Sequence, residues 1–281
     1  MSLFKYVSWN PFPIKQLCQH DNNKECELKP NCHSRENLLS SHLYFNSSKY
    51  FNDPFDLSPF CDVNATISQI LEKAIETIMI TESLKIKAAT LKAKELIKLR
   101  KLHTKEGKEK AVADQLSLLQ RIGVCCFSEL KPDDHKSTLL WSHYAEKHSG
   151  LCLEFHLPSS LNVFTSIGAR NPIFSPTPIN YLPTLPQINL FINTQDDMLN
   201  CLTVKSPEWA YEKEHRAFSL NYVGLVQYEP WLLKTVTAGC NMNDTEFNEL
   251  NATINKLSYQ PQLFRARKKD REFGVELIQH I

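Results

Sequence analysis

Between residues 66 and 121 the chain carries no proline and one glycine, while Ile67, Ile70, Leu71, Ala74, Ile75 and Ile78 recur at helical spacing. This stretch reads as helix, and it separates segments of a different character. Before it lie two strand-like stretches, LFKYV at 3–7 and HLYFNS at 42–47. A short helix is expected between them in SRENLLSSH, capped by Ser34 and packed through Leu38 and Leu39. After it, GVCCFS at 123–128, GLCLEFHL at 150–157 and HRAFSLNYV at 215–223 are rich in aromatic, cysteine and aliphatic residues, as strands are. The implied class is α+β, a mixed sheet with an insert, divided at 1–65, 66–121 and 122–281. Because the apolar pattern resumes in VADQLSLLQ after Gly107, the insert is expected to be a hairpin of two long helices.

The proline-rich segment from 157 to 202 is read as a long surface loop. The tail opens with a helix whose cap candidate is Asp244, followed by a charged turn and a final strand.

At 281 residues the chain suits one large domain carrying an inserted subdomain. Its formal charge of +1 supplies no general drive towards nucleic acid or membrane. No apolar window approaches the ~20 residues of a membrane span, and the N-terminus lacks the pattern of a secretory signal. Nine cysteines, an odd number, do not resemble a disulfide framework. The expectation is a soluble, reduced, cytoplasmic protein where it is made. Delivery into another cell by a specialised secretion system would leave no stronger mark.

The most informative chemistry lies in KSPEWAYEKEHRAFSLNY. Glu212 and Glu214 are two apart before a strand, so alternation places both carboxylates on one face and lets both enter one cleft. Such a pair suits stabilisation of a cationic sugar centre. The plainer reading is a solvated strand edge with Arg216 as internal partner. In HLYFNSSKYFNDPFDLSPF, a strand runs through Ser47 and Ser48 into the turn formers Asn52, Asp53 and Pro54, with Phe51 and Phe55 expected to anchor the turn in the core. Serine hydroxyls there suit ribose or phosphate, and Tyr50 suits stacking; a plain tight turn explains the same residues. A third segment places Trp141 and Tyr144 on one helix face, a spacing more often used for packing. Cys18, His20, Cys26, Cys32 and His33 miss the intervals of a zinc knuckle, so no metal is expected. With seven glycines, no Walker loop and no G-x-G-x-x-G, a Rossmann or P-loop mode is disfavoured.

These segments, taken in order, resemble a bacterial family of unknown function, DUF2971: LFKY, LYFNSSKYFNDPFD, GVCCFSE, LLWSHYAEKHSGLCLEF and WAYEKEHRAF. The same order resembles a divergent ADP-ribosyltransferase, including bacterial effectors and toxins. That resemblance implies a split mixed β-sheet with an inserted helical hairpin, and NAD as co-substrate. Lys5 and Tyr6 fall on its first strand and Phe45, Ser47 and Ser48 on its second, with Asn52, Tyr144 and Arg216 completing the implied NAD contacts. Glu214 is the implied catalytic carboxylate, and Glu212 the residue orienting the acceptor. Lysine at position 5 departs from the usual arginine or histidine, and FNSS from serine-threonine-serine. The implied partner is a protein acceptor, modified on arginine in related enzymes, and a host protein in the case of an effector. No membrane partner is implied; the basic hairpin would serve as a substrate-recognition lobe. Alternatives are an NAD glycohydrolase, a nucleic-acid-modifying enzyme, or a non-catalytic binding or immunity protein. Glu214→Gln is expected to abolish transfer while leaving the melting temperature nearly unchanged.

Overall fold

The computed structural model describes residues 1–9, 34–157, 164–166 and 173–280. The chain divides into two compact units, one of Met1–Asn46, Gly123–Ile179 and Glu208–Ile281, the other of Ser47–Ile122 and Asn180–Pro207. The described helices are α1 (Ser34–Leu39), α2 (Ile67–Glu82), α3 (Ile86–Leu99), α4 (Lys105–Leu119), α5 (Thr138–Tyr144), α6 (Gln195–Leu202) and α7 (Asp244–Ile254).

In the first unit the alternating segments pair across the sequence. The strands of its sheet are β1 (Ser2–Val7), β2 (His42–Ser47), β3 (Gly123–Ser128), β4 (Leu151–His156), β5 (Phe164–Ser166), β6 (Ile173–Pro178), β7 (Glu214–Ser219), β8 (Gly224–Tyr228), β9 (Leu233–Ala238), β10 (Gln262–Lys268) and β11 (Val275–His280). Their order is β11-β10-β9-β4-β1-β3-β2-β8-β5, with β7 paired to β3 and β6 paired to β7. The sheet is mixed because β9 and β10, joined through α7, run parallel while β1–β4 and β3–β7 are antiparallel.

Both faces of the sheet centre are covered. Leu3, Phe45, Phe127 and Phe155 pack with Leu38 of α1 and Phe247 and Leu250 of α7. Phe4, Tyr6 and Cys152 pack on the opposite face with Leu140 and Trp141 of α5. The Trp141 ring lies edge-on to Tyr6 at 5.2 Å, and its Nε1 donates to Pro132 O at 2.9 Å, so the helix has one apolar anchor with its polar atom satisfied. A Cβ at Gly150 would lie 2.2 Å from Val7 O; only glycine lets β4 start beside the end of β1.

Several expectations are corrected here. Asn243, not Asp244, caps α7, its Oδ1 accepting from Glu246 N at 2.9 Å. Ser34 is the first residue inside α1. The expected loop from 157 to 202 contains β6 and α6; prolines 176 and 178 are tolerated because, among the described residues, β6 pairs only with β7. LFRARK forms β10, and β8 and β9 are additional strands.

The second unit takes in more than 66–121, since it also includes 47–65 and 180–207. Its helical run forms three helices, not two. Thr66 and Gln69 make a capping box at the start of α2, and Ser83, at φ 53°, ends it in the left-handed conformation. Ala89 and Ala93 of α3 are fully buried in a cluster with Ile78 of α2; their small side chains permit close approach. Ile70, Ile97, Val112 and Phe191 belong to a second cluster in this unit. Parallel two-residue pairs join 60–61 to 187–188 and 180–181 to 204–205.

In the first turn of α4, a Cβ on Gly107 would meet Lys101 O at 2.2 Å. Alanine normally gains about 1 kcal/mol over glycine in a helix. At this position Gly107→Ala is expected instead to destabilise the protein by about 1–3 kcal/mol, as overpacking does. Urea unfolding checks this, and an unchanged midpoint would show that the turn before α4 yields.

Candidate functional site

Strand register builds the site. Glu214 pairs with Ser128 and Arg216 with Cys126, so these four side chains share one face of β3 and β7. Phe4 also pairs with Ser128, which makes this the face covered by α5. Glu212 ends a 3-10 turn, Pro207–Glu212, and Lys213 follows at φ 44°. The Lys213 carbonyl accepts from Glu129 N at 3.1 Å, fixing this left-handed step against β3. Glu212 is therefore not in the strand as alternation implied, yet its side chain reaches the same cluster.

Each carboxylate is held by a defined donor. Arg216 donates to Glu214 through Nε at 2.6 Å and Nη2 at 3.1 Å, a forked ion pair between side chains two apart on one strand. Arg216 is 0% exposed and Glu214 4%. Glu212, 3% exposed, accepts from the Tyr144 hydroxyl at 2.7 Å, and its own carbonyl accepts from Ser128 Oγ at 2.5 Å. Burial, reinforced by the Glu212 charge, pushes the Tyr144 phenol upward, so it remains a donor. Cys126 keeps part of its surface open, yet burial pushes its thiol well up and the Glu214 carboxylate pushes the same way. Arg216 and Lys5 pull against this without reversing it. The result is a cluster in which a protonated thiol, a phenol and a guanidinium surround two carboxylates.

The implied residues divide between the units. Tyr144, Glu212, Glu214 and Arg216 come together in the first unit. Tyr6 shares their sheet face, its hydroxyl donating to Leu130 O at 3.0 Å, with burial raising its pKa. Lys5, one residue away, points to the other face; its Nζ donates to Cys126 O at 3.0 Å and lies 5.7 Å from the Phe127 ring centroid. Phe45 is 0% exposed in the core on that face. Ser48 and Asn52 belong to the second unit, as does Ser47, the last residue of β2, whose Oγ donates to Gln120 O at 2.7 Å and accepts from Lys49 N. Asn52 is exposed. The expected anchoring of that turn by Phe55 is overturned, since Phe55 is 67% exposed while Asp56 and Leu57 are buried. The Asp56 carboxylate is buried with a counter-charge nearby, Lys205 Nζ lying 3.9 Å from its Oδ2.

Cys126 and Ser128 are not assigned to this site from the sequence, where Ser128 suggests only a weak Ser/His pairing with His135, His143 or His148 that lacks a G-x-S-x-G elbow. Their signal is a thiol and a hydroxyl on alternate positions of an otherwise apolar strand, but the register that sets them against β7 is not visible in one sequence. On the opposite face, His215 Nε2 lies 2.8 Å from Glu129 Oε1. Among the described residues no group of three or more His, Cys, Asp or Glu side chains is arranged to hold a metal ion. Cys18, His20, Cys26, Cys32 and His33 lie outside the described residues.

The stretch from α5 to β7 thus contains Tyr144, Glu212, Glu214 and Arg216 within one continuous segment. Residues 140–217 match a family model described as a protein of unknown function (DUF2971). The match covers all four of these residues and ends one position after Arg216, whereas Cys126 and Ser128 lie outside it. No curated protein and no solved structure matches the chain.

Proposed function

We propose that the chain is an NAD-dependent mono-ADP-ribosyltransferase acting on a protein acceptor, with Glu214 as the carboxylate beside the reacting ribose. One observation supports this reading: two buried carboxylates at the head of one strand, Glu214 forked to Arg216 and Glu212 bonded to Tyr144. When the bond between ribose and nicotinamide breaks, nicotinamide leaves with the bonding pair and positive charge develops on the sugar. A fixed carboxylate surrounded by protein stabilises that charge more than it stabilises the intact nucleotide. Glu212, oriented by Tyr144, would position the acceptor that then bonds to the ribose.

A second reading has its own observation. The Glu214 charge is matched by Arg216 within the same strand, and the pair is buried. On that reading the cluster is structural and the chain is a non-catalytic binding protein.

Wild-type protein incubated with labelled NAD and a cell extract separates the two. The expected result is nicotinamide release with label transferred to protein, together with a rise in melting temperature on adding NAD. If NAD produces no nicotinamide release and no thermal shift, the structural reading stands; release without transfer would mark a glycohydrolase.

A further inference from the structure

Outside the carboxylate cluster, one helix carries a marked basic excess. Residues 85–101, which span α3, contain seven basic residues against a single acidic one, Glu95. The net charge of +1 for the whole chain conceals this local excess. The buried residues Ala89, Ala93 and Ile97 define the inward face of α3. Helical spacing puts Lys87, Lys94 and Lys98 on the opposite face, in one stripe that also contains Leu91. All three lysines are exposed. By contrast, Lys92 is paired with Glu82 of α2 at 2.5 Å.

The apolar residues among these lysines indicate the kind of surface that α3 meets. Leu91, within the stripe, is 63% exposed, and Ile86 and Leu99, at the two ends of α3 and outside the stripe, are 65% and 81% exposed. Leu91 sits at the middle of the lysine stripe, where a purely solvated face needs no aliphatic side chain. A nucleic-acid surface calls for arginine forks and stacking aromatics, whereas α3 has neither. Lysines with interspersed aliphatic side chains match an anionic lipid interface: the ammonium groups reach the headgroups and the aliphatic groups enter the acyl boundary.

We infer that the outer face of α3 docks the protein on membranes rich in anionic lipid. This requires no membrane-spanning helix, and none of the described helices is long and apolar enough to be one. The inference is independent of the NAD reading, because none of its residues belongs to the carboxylate cluster.

The test is co-sedimentation of the full chain with phosphatidylcholine vesicles, with and without phosphatidylserine. Binding is expected only to the anionic vesicles and should weaken as salt is raised. The triple variant Lys87→Gln, Lys94→Gln, Lys98→Gln removes exposed charges without touching a core residue, so its melting temperature should stay at the wild-type value. Its partitioning should fall on the order of 100-fold, given the contribution of each lysine near an anionic surface. Leu91→Ser should weaken binding at high salt as well, where the electrostatic part is screened. Equal binding to both vesicle types, or wild-type binding by the triple variant, would overturn the inference. So would salt-sensitive binding of an RNA or DNA duplex that exceeds binding to vesicles.

Discussion

Arg216→Met is expected to destabilise the protein by about 3–5 kcal/mol, the range found when one partner of a buried ion pair is removed. The size follows from the surroundings of Glu214. Its carboxylate is 4% exposed, and two of the bonds that compensate its desolvation come from Arg216. Methionine fills similar space but donates nothing, so the carboxylate stays buried without its forked partner. Removing both charges should behave differently. In Glu214→Leu combined with Arg216→Met, neither desolvation cost remains, and stability should return to within about 1 kcal/mol of the wild type. The measurement is a double-mutant cycle by chemical denaturation, in which the coupling between the two positions is the informative quantity. A single variant that loses less than ~1 kcal/mol would show a solvated pair. The double variant's stability also bears on what the pair is for. If stability survives removal of both charges, the fold does not require them, and their presence calls for another explanation.

How much of this was legible in the sequence depends on what kind of interaction decided each feature. β3 was read with its ends correct, because GVCCFS is apolar on both faces and so marks a strand buried on two sides. The run from 66 to 121 was recognised as helical, but its division was not. The break at Ser83 is a left-handed backbone step at a residue with no glycine or proline to announce it. The sequence favours a loop over β6 because Pro176 and Pro178 count against a central strand; they do not count against an edge. The assignment of Lys5 and Tyr6 to one site overlooked an available constraint, since neighbours on a strand face opposite ways.

The candidate site divides in the same manner. The carboxylate pair and its partner Arg216 were visible in W-x-YE-x-E-x-R, and the plainer expectation of an internal Arg216 contact is what the side chains make. Solvation of that pair was the misjudged part, because burial of all six residues of β7 comes from pairing with both β3 and β6. Tyr144 was expected on a packing face; its hydroxyl bond to Glu212 spans 68 residues of sequence, a distance over which local pattern carries no information.

The buried fork also changes what Glu214→Gln should do. The sequence alone led to an expectation of lost transfer with nearly unchanged stability. With Arg216 fully buried, an amide in place of the carboxylate removes the counter-charge, and the melting temperature is now expected to fall. Activity must therefore be compared per folded molecule, at a temperature where circular dichroism shows the variant to be native. Under those conditions the transferase reading still expects a large loss. A charge about 4 Å from a developing cation, at an effective dielectric of about 20, contributes roughly 4 kcal/mol, or about 10³-fold in rate. Glu212→Gln should separate the two carboxylates. It leaves Glu214 in place, so nicotinamide release should persist while transfer to the acceptor falls. A structural cluster predicts another pattern, in which both variants lose activity only in proportion to the fraction unfolded. If folded Glu214→Gln protein transfers label at the wild-type rate, the catalytic role of that carboxylate is excluded, and the ion pair with Arg216 is left as its whole function.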